Sequence, residues 1–491
     1  MKKHFLFISL ILLFSCTGKI DEDNLVVGSK KFTESVILGN IINLTLEKNN
    51  IASTHKDQLG GTSILWNSLL KGEIDVYPEY TGTIIHEILH GNEIANFDSL
   101  KTALNKFGIG ITDPLGFNNT YALGVNRKIA SENNLQRISE INKFPKLKIG
   151  FTNEFMDRKD GWPGLRERYN LIHTDVAGLD HDLAYSALSS NSIDIMDVYT
   201  TDAEIEYYNI KLLEDDLNYF PEYLAVVLYR LDISDEAISL IKSLENNMSS
   251  NVMSKMNGEV KIKKRHESVV AAEFLNKFFQ TNIKMSQPKW QDRVFKRTIE
   301  HLELVSISLI LAILFSIPLG IIAYKNKKFG QLIIASVNIL QTIPSLALLV
   351  FMIPLLGIGT IPAIAALFLY SLLPIVRNTY LGLNDIPGNL RESAEVLGLS
   401  NNYILTKIEL PLAASSILTG IKTSSVINIG TATLGALIGA GGYGQPILTG
   451  IRLDSTMLIL EGAIPAALLA MVVQYGFEYL EKFVVPKGLK V

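Results

Sequence analysis

Five apolar stretches of about twenty residues or more crowd into the chain after His301, at about 302–323, 332–356, 361–381, 412–438 and 457–480. A bilayer core roughly 30 Å thick takes about 20 apolar residues to cross as a helix, so runs this long and this poor in charge predict membrane spans. Buried helices of a soluble protein are seldom so long, and the Gly and Pro residues inside the runs are tolerated in lipid. This half of the chain is therefore expected to be all-α, with about five spans.

Residues 25–280 have another character. Residues 25–27 read as a strand ending at Gly28, and 35–46 as a helix with apolar positions at helical spacing. Residues 74–77, 147–149 and 193–196 read as further strands, and 183–188 and 235–244 as helices. Such alternation predicts an α/β architecture with mostly parallel sheets. A length of 491 residues also calls for at least two domains.

Charge gives an independent check on topology. If residues 25–280 lie outside the cell, Lys325, Lys327 and Lys328 follow the first span on the inside. The polar loop 382–409, with Arg377 and Arg391 near it, then also falls inside, as do Lys482, Lys487 and Lys490. Arg452 is the exception on the outer side. The pattern obeys the positive-inside rule and predicts a multi-pass protein of the cell membrane with its N-terminal domain outside the cytoplasm. A formal net charge of -4 and no long basic run argue against nucleic acid as a partner.

The single cysteine, Cys16, excludes a disulfide within the chain. Lys2 and Lys3 precede an apolar run from Phe5 to Phe14, and Ser15 stands before Cys16. This resembles a bacterial lipoprotein signal over residues 1–16, with Cys16 acylated and 17–24 a polar tether; an uncleaved anchor is the alternative. Residues 281–300 contain Trp290, Arg293, Phe295 and Arg297, and suit either a plain linker or an amphipathic helix at the membrane surface. The membrane part is placed at 301–485.

Within the inner loop stand Glu392, Ser393 and Ala394, then Gly398, then Ile408, Leu410 and Pro411. The spacing resembles the "EAA" coupling motif of ABC importer permeases, with Ser393 as its one departure. The resemblance implies a short helix, broken at Gly398, that seats in a groove on a separate ATP-binding subunit. No G-x-x-x-x-G-K-[ST] loop is present in this chain, so no cofactor is expected in it and ATP is left to that partner. Gly439, Gly441 and Gly444 fit G-x-G-x-x-G, but they end a span rather than open a βαβ unit, which argues for close backbone packing instead.

The exported half resembles the glycine betaine/carnitine/choline binding proteins of the OpuC and ProX type. The residues that carry the likeness are Gly28 to Glu34, Gly60-Gly61-Thr62, Asp75 to Thr83, Gly116 to Leu123, Glu154-Phe155 with Arg158 and Asp160-Gly161, Thr201-Asp202, and Phe220 to Tyr223. The likeness implies a two-lobed α/β domain of the type II binding proteins, ahead of an all-α permease domain of the MetI-like type. One lobe is expected from 25–117 and 215–280, the other from 118–214. It further implies that Tyr80, Tyr121, Tyr199 and Tyr223 form a cage for a trimethylammonium head. Such a head carries a full charge and no N–H, so aromatic faces recognise it where hydrogen bonds cannot. Lys30, Thr83 and Arg158 stand at positions implied for the other end of the ligand, although surface ion pairs explain Lys30 and Arg158 equally well. Ser35 replaces the Gln of many relatives, which leaves open the choice among glycine betaine, choline, carnitine and ergothioneine.

The implied assembly is a symmetric homodimer through the permease domain with two ATP-binding subunits. A sensory receptor would need a cytoplasmic signalling domain, and the last span stands about ten residues from the end. His86-Glu87-Ile88-Leu89-His90 fits the zinc motif H-E-x-x-H. It lies inside the binding-protein likeness, which accounts for it without metal, and no catalytic residues are expected.

Overall fold

The computed structural model describes residues 24–90 and 94–484, so Cys16 and the signal lie outside the described residues. The chain divides into two compact units at residues 286 and 287.

The first unit contains two five-stranded sheets. Strands β1 (Leu25–Gly28), β2 (Ser53–Lys56), β3 (Val76–Tyr80) and β4 (Ile109–Ile111) join β10 (Ala225–Arg230) in the order β2-β1-β3-β10-β4. Strands β5 (Tyr121–Asn126), β6 (Ile149–Thr152), β7 (Val176–Leu179), β8 (Ile195–Tyr199) and β9 (Ile210–Leu212) form the second, in the order β7-β6-β8-β5-β9. Each sheet is mixed rather than mostly parallel. In the first, β1 runs parallel to β2 and β3, while β10 runs antiparallel to β3 and β4. The second repeats this plan, with β6 parallel to β7 and β8, and β5 antiparallel to β8 and β9. A strand that enters its sheet after crossing from the other lobe arrives in the reverse direction. The two crossings lie side by side, bridged between Asn118 and Leu224.

Strands expected from 74, 147 and 193 begin two residues later, and for two of them the cause is an aspartate at the entry. The Asp75 carboxylate accepts from the Val26 N–H at 2.8 Å, and the Asp194 carboxylate accepts from the Lys148 N–H at 2.8 Å. A side chain thus replaces a ladder bond at the mouth of each sheet. The helix Thr33–Lys48 is buried over most of its length. It packs against the helices Ser250–Lys261 and Glu267–Phe278, which explains why even its polar Thr33, Glu34, Ser35 and Asn43 are buried.

In the second unit, four helices among the described residues are long and apolar enough to cross a membrane, or five if one bent pair is counted. The bent pair, Lys327–Thr342 and Ser345–Leu356, covers the apolar stretch expected at 332–356 and turns by 98° within it. Pro344 is the cause. Proline disfavours helical backbone in the residue before it, and Ile343 is extended at φ −69°, ψ 125°. The helix Trp290–Lys325 is unbroken, so residues 290–300 are its first turns rather than a separate segment. Ala312, Ile375, Leu383, Ala413, Ile417 and Ile421 form the core between this helix, Thr360–Asn384 and Leu410–Thr431. Small residues let those backbones approach. A Cβ at Gly420 would stand 2.7 Å from the Pro374 carbonyl oxygen.

Candidate functional site

Three of the four expected cage tyrosines come together where the two sheets face each other. Tyr121 opens β5 and Tyr199 ends β8, and their antiparallel register sets them opposite each other. Their ring centroids are 5.1 Å apart, and the Tyr223 ring stands 5.4 Å from Tyr121, edge-on. Phe155 lies 5.0 Å from Tyr121, and Phe220 lies 6.2 Å from it. Tyr80, at the end of β3, stands apart from this group, with Phe32 between, 6.1 Å from both Tyr80 and Tyr199. Burial pushes the Tyr121 and Tyr199 phenols up, so both rings stay neutral in the working pH range.

Three of the positions expected at the ligand's other end, Lys30, Ser35 and Arg158, are already bonded within the protein. The Lys30 ammonium donates to Glu79 at 2.6 Å and to Thr62 at 2.9 Å. The Ser35 hydroxyl accepts from the Lys30 backbone N–H at 2.9 Å and so fixes the loop rather than pointing outward. Thr83 is buried in the helical turn Thr81–Thr83 after β3. Arg158 pairs with Glu87 at 3.0 Å and with Asp160 at 2.6 Å, and Asp160 accepts from the Tyr223 hydroxyl. Burial works against the Asp160 charge, but the Arg158 guanidinium outweighs it and holds the carboxyl below its ordinary range. That guanidinium also lies 6.0 Å from the Tyr121 centroid and 5.8 Å from that of Tyr223. Of the H-E-x-x-H residues, Glu87 is held by Arg158, and His90 is 3.1 Å from the Lys159 ammonium. Among the described residues no group of three or more His, Cys, Asp or Glu is placed to hold a metal ion.

Sequence reasoning did not single out Phe32, Glu34, Asn119 or His181 as site residues. Phe32, Glu34 and Asn119 stand inside the quoted segments, but only the fold reveals which side chains face the site. His181 carries no local signal. Its ring lies 4.7 Å from Tyr199, and its Nε2 is 3.1 Å from Asp202, which also accepts from the Tyr185 hydroxyl at 2.6 Å. Burial opposes a charge on His181, but the Asp202 carboxylate, with Asp182 and Asp197, outweighs it and raises the imidazole to about 9. A raised imidazole stabilises the fold fully below the ordinary value near 6.5, and that stabilisation is lost as pH rises through about 9. Buried Asp197, raised to about 6, has finished its own titration below this window. The thermal midpoint of the chain is therefore expected to fall by several degrees between about pH 7 and pH 10. His181→Gln is expected to flatten that slope, as scanning fluorimetry across the range can check.

In the second unit, the helix Gly388–Val396 carries Glu392 and Ser393, both exposed, and Ala394, which is buried. Gly398 follows at φ +74°, in the left-handed region, and ends the helix. Ile408 lies in the turn Leu405–Glu409, and Leu410 and Pro411 begin the helix Leu410–Thr431. Helical backbone runs unbroken from Asn401 through Pro411, and the wider turn Leu405–Glu409 comes just before the proline. The glycines at 439, 441 and 442 all have positive φ and precede the helix Gly444–Arg452, with no strand beside them.

Comparison with known proteins covers both units. Residues 23–277 match the substrate-binding domain of ABC-type glycine betaine transport systems, and 312–487 match the inner membrane component of binding-protein-dependent transport systems. The choline transport system permease protein OpuBB of Bacillus subtilis is 45% identical over 194 residues, which is 40% of this chain and 89% of that protein. The ergothioneine transport permease/ergothioneine binding protein EgtU of Helicobacter pylori is 31% identical over 281 residues, 56% of this chain and 51% of that protein. A crystal structure of a glycine betaine/carnitine/choline ABC transporter is 28% identical with a TM-score of 0.45, covering 52% of this chain and 98% of that one. A two-sheet binding domain and a helical membrane domain that each match their own family in one polypeptide place the chain among the quaternary ammonium ABC importers, as a fused substrate-binding and permease protein.

Proposed function

We propose that the chain captures a trimethylammonium compound outside the cytoplasm and passes it inward through its permease domain, driven by ATP hydrolysis in a separate subunit. The observation that carries this reading is the grouping of Tyr121, Tyr199 and Tyr223, with the Arg158 guanidinium standing at cation–π range over two of the rings. Lys30, Thr83 and Arg158 are assigned to the end of the ligand away from nitrogen, while Ser35 is left to its own loop. Glu392, Ser393, Ala394, Gly398, Ile408, Leu410 and Pro411 are assigned to contact with the ATP-binding subunit. One chain offers half of a pathway, so two copies pair symmetrically. Fusion keeps the receptor beside its permease at an effective concentration on the order of millimolar, so capture does not require tight binding.

The fused arrangement of EgtU favours ergothioneine as one arm of the test. The purified full chain in nanodiscs is titrated calorimetrically with choline, glycine betaine, carnitine and ergothioneine, with glycine as the unmethylated control. Binding of at least one methylated compound and none of glycine is expected. Heat signals from none of the four sink the proposal.

A further inference from the structure

Glu34 is a buried carboxylate reached by side chains from both lobes of the binding domain. Its Oε1 accepts from the Tyr80 hydroxyl at 2.6 Å and from Asn119 Nδ2 at 2.9 Å. Its Oε2 accepts from the Thr201 hydroxyl at 2.5 Å and from Asn257 Nδ2 at 3.0 Å. An ionised carboxyl offers about four acceptor positions, and here all four are filled by donors. The donors come from different places. Tyr80 ends β3 of the first sheet, Asn119 lies on the crossing between the sheets, Thr201 follows β8 of the second sheet, and Asn257 lies on the helix Ser250–Lys261.

The donors are also tied to one another. The Thr201 N–H donates to Asn119 Oδ1 at 3.4 Å, and Asn257 Nδ2 donates to the Thr201 carbonyl at 3.0 Å. One turn further along the same helix, Lys261 pairs with Asp182 and, at 3.0 Å, with Glu204, both within the second lobe. We propose that Glu34 is a pin between the lobes: a positioning residue that fixes how far the two sheets close and so how near Tyr80 and Phe32 come to the rings of the second lobe. Its action is mechanical. The Tyr80 hydroxyl is spent on Glu34, which leaves the ring face, and not the O–H, as what Tyr80 offers the site. Phe32, two residues before Glu34, spans from Tyr80 to Tyr199 and is carried with it.

In Glu34→Gln one oxygen becomes an NH2 group. On either side it meets one hydroxyl, which can turn to accept, and one amide NH2, of Asn119 or Asn257, which cannot flip without losing its bond to Thr201, so one amide N–H is left facing another and the buried cluster loses an acceptor. The inference concerns the relation of the lobes and needs no ligand, so it stands or falls apart from the quaternary ammonium reading. The test uses the full chain in nanodiscs with Cys16→Ser and spin labels at the exposed sites Asn67→Cys, in the first lobe, and Glu167→Cys, in the second. Electron–electron resonance without any ligand is expected to give one narrow distance distribution for the parent. In Glu34→Gln the distribution is expected to become roughly twice as broad and to shift outward. Thr201→Val, which removes one donor from the second lobe, is expected to do the same to a lesser degree and decides the matter if Glu34→Gln does not fold. A variant that melts earlier but keeps the parent's distance distribution overturns the proposal, because it assigns Glu34 to stability alone.

Discussion

Tyr121→Ala or Tyr199→Ala in the full chain is expected to weaken binding of a trimethylammonium ligand by roughly ten- to thirtyfold, while Tyr121→Phe costs far less. A desolvated cation–π contact contributes about 2 kcal/mol, and 1.4 kcal/mol is a factor of ten. The two rings are placed by strand register, 5.1 Å apart across an antiparallel pair, so truncating either leaves the other in position. Both phenols are held neutral by burial, so the effect resides in the ring faces and persists from about pH 6 to pH 9. Tyr223 is expected to behave differently. Its hydroxyl donates to Asp160, which in turn holds Arg158. Tyr223→Phe therefore takes a donor from Asp160 and loosens the seat of the guanidinium, which Asp160 and Glu87 still hold, and removal of the hydroxyl alone is expected to weaken binding measurably. Calorimetry on Tyr121→Ala, Tyr121→Phe and Tyr223→Phe with whichever ligand binds the parent separates these effects. Unchanged affinity in Tyr121→Ala and Tyr199→Ala alike would remove the cage from the mechanism.

The legibility of this chain followed the range of the forces involved. Spans were readable because lipid imposes a length and an apolar composition on every residue of a helix. The break at Pro344 was local too, yet its consequence, a 98° turn, depends on how the following helix packs. The α/β character was clear from alternation, but strand direction was not. Whether β10 and β5 run against their neighbours depends on which sheet the chain has just left, and no short window of sequence holds that information. At the site, the tyrosines stood out as residue types with an evident chemistry. Glu34 did not, because a buried glutamate matters through partners 46, 85, 167 and 223 residues away in sequence. Ser35 was read as a contact to ligand because of its position, whereas its hydroxyl serves its own loop.

Gly398→Val is expected to abolish uptake of the ligand while leaving its binding within about twofold of the parent. The residue stands at φ +74°, a conformation that costs an ordinary L-residue roughly 1–2 kcal/mol and a β-branched one more. A Cβ built there meets nothing within 4 Å, so no clash contributes and the cost is wholly one of backbone conformation. Relief comes by continuing the helix Gly388–Val396 in place of the turn, which re-aims Glu392 and the apolar tip at Val396 and Leu397, exposed at 88% and 77%. Gly398 belongs to the second unit and the binding domain to the first. A conformational cause predicts a ranked series. Asn, which tolerates positive φ, is expected to retain most uptake, Ala less, and Val none. A cause in lost contacts predicts no such order. Radiolabelled uptake in cells that also express the cognate ATP-binding subunit, beside calorimetric binding on the same purified variants, separates the two. Full transport by Gly398→Val would mean that the bend between these helices carries no force to the spans.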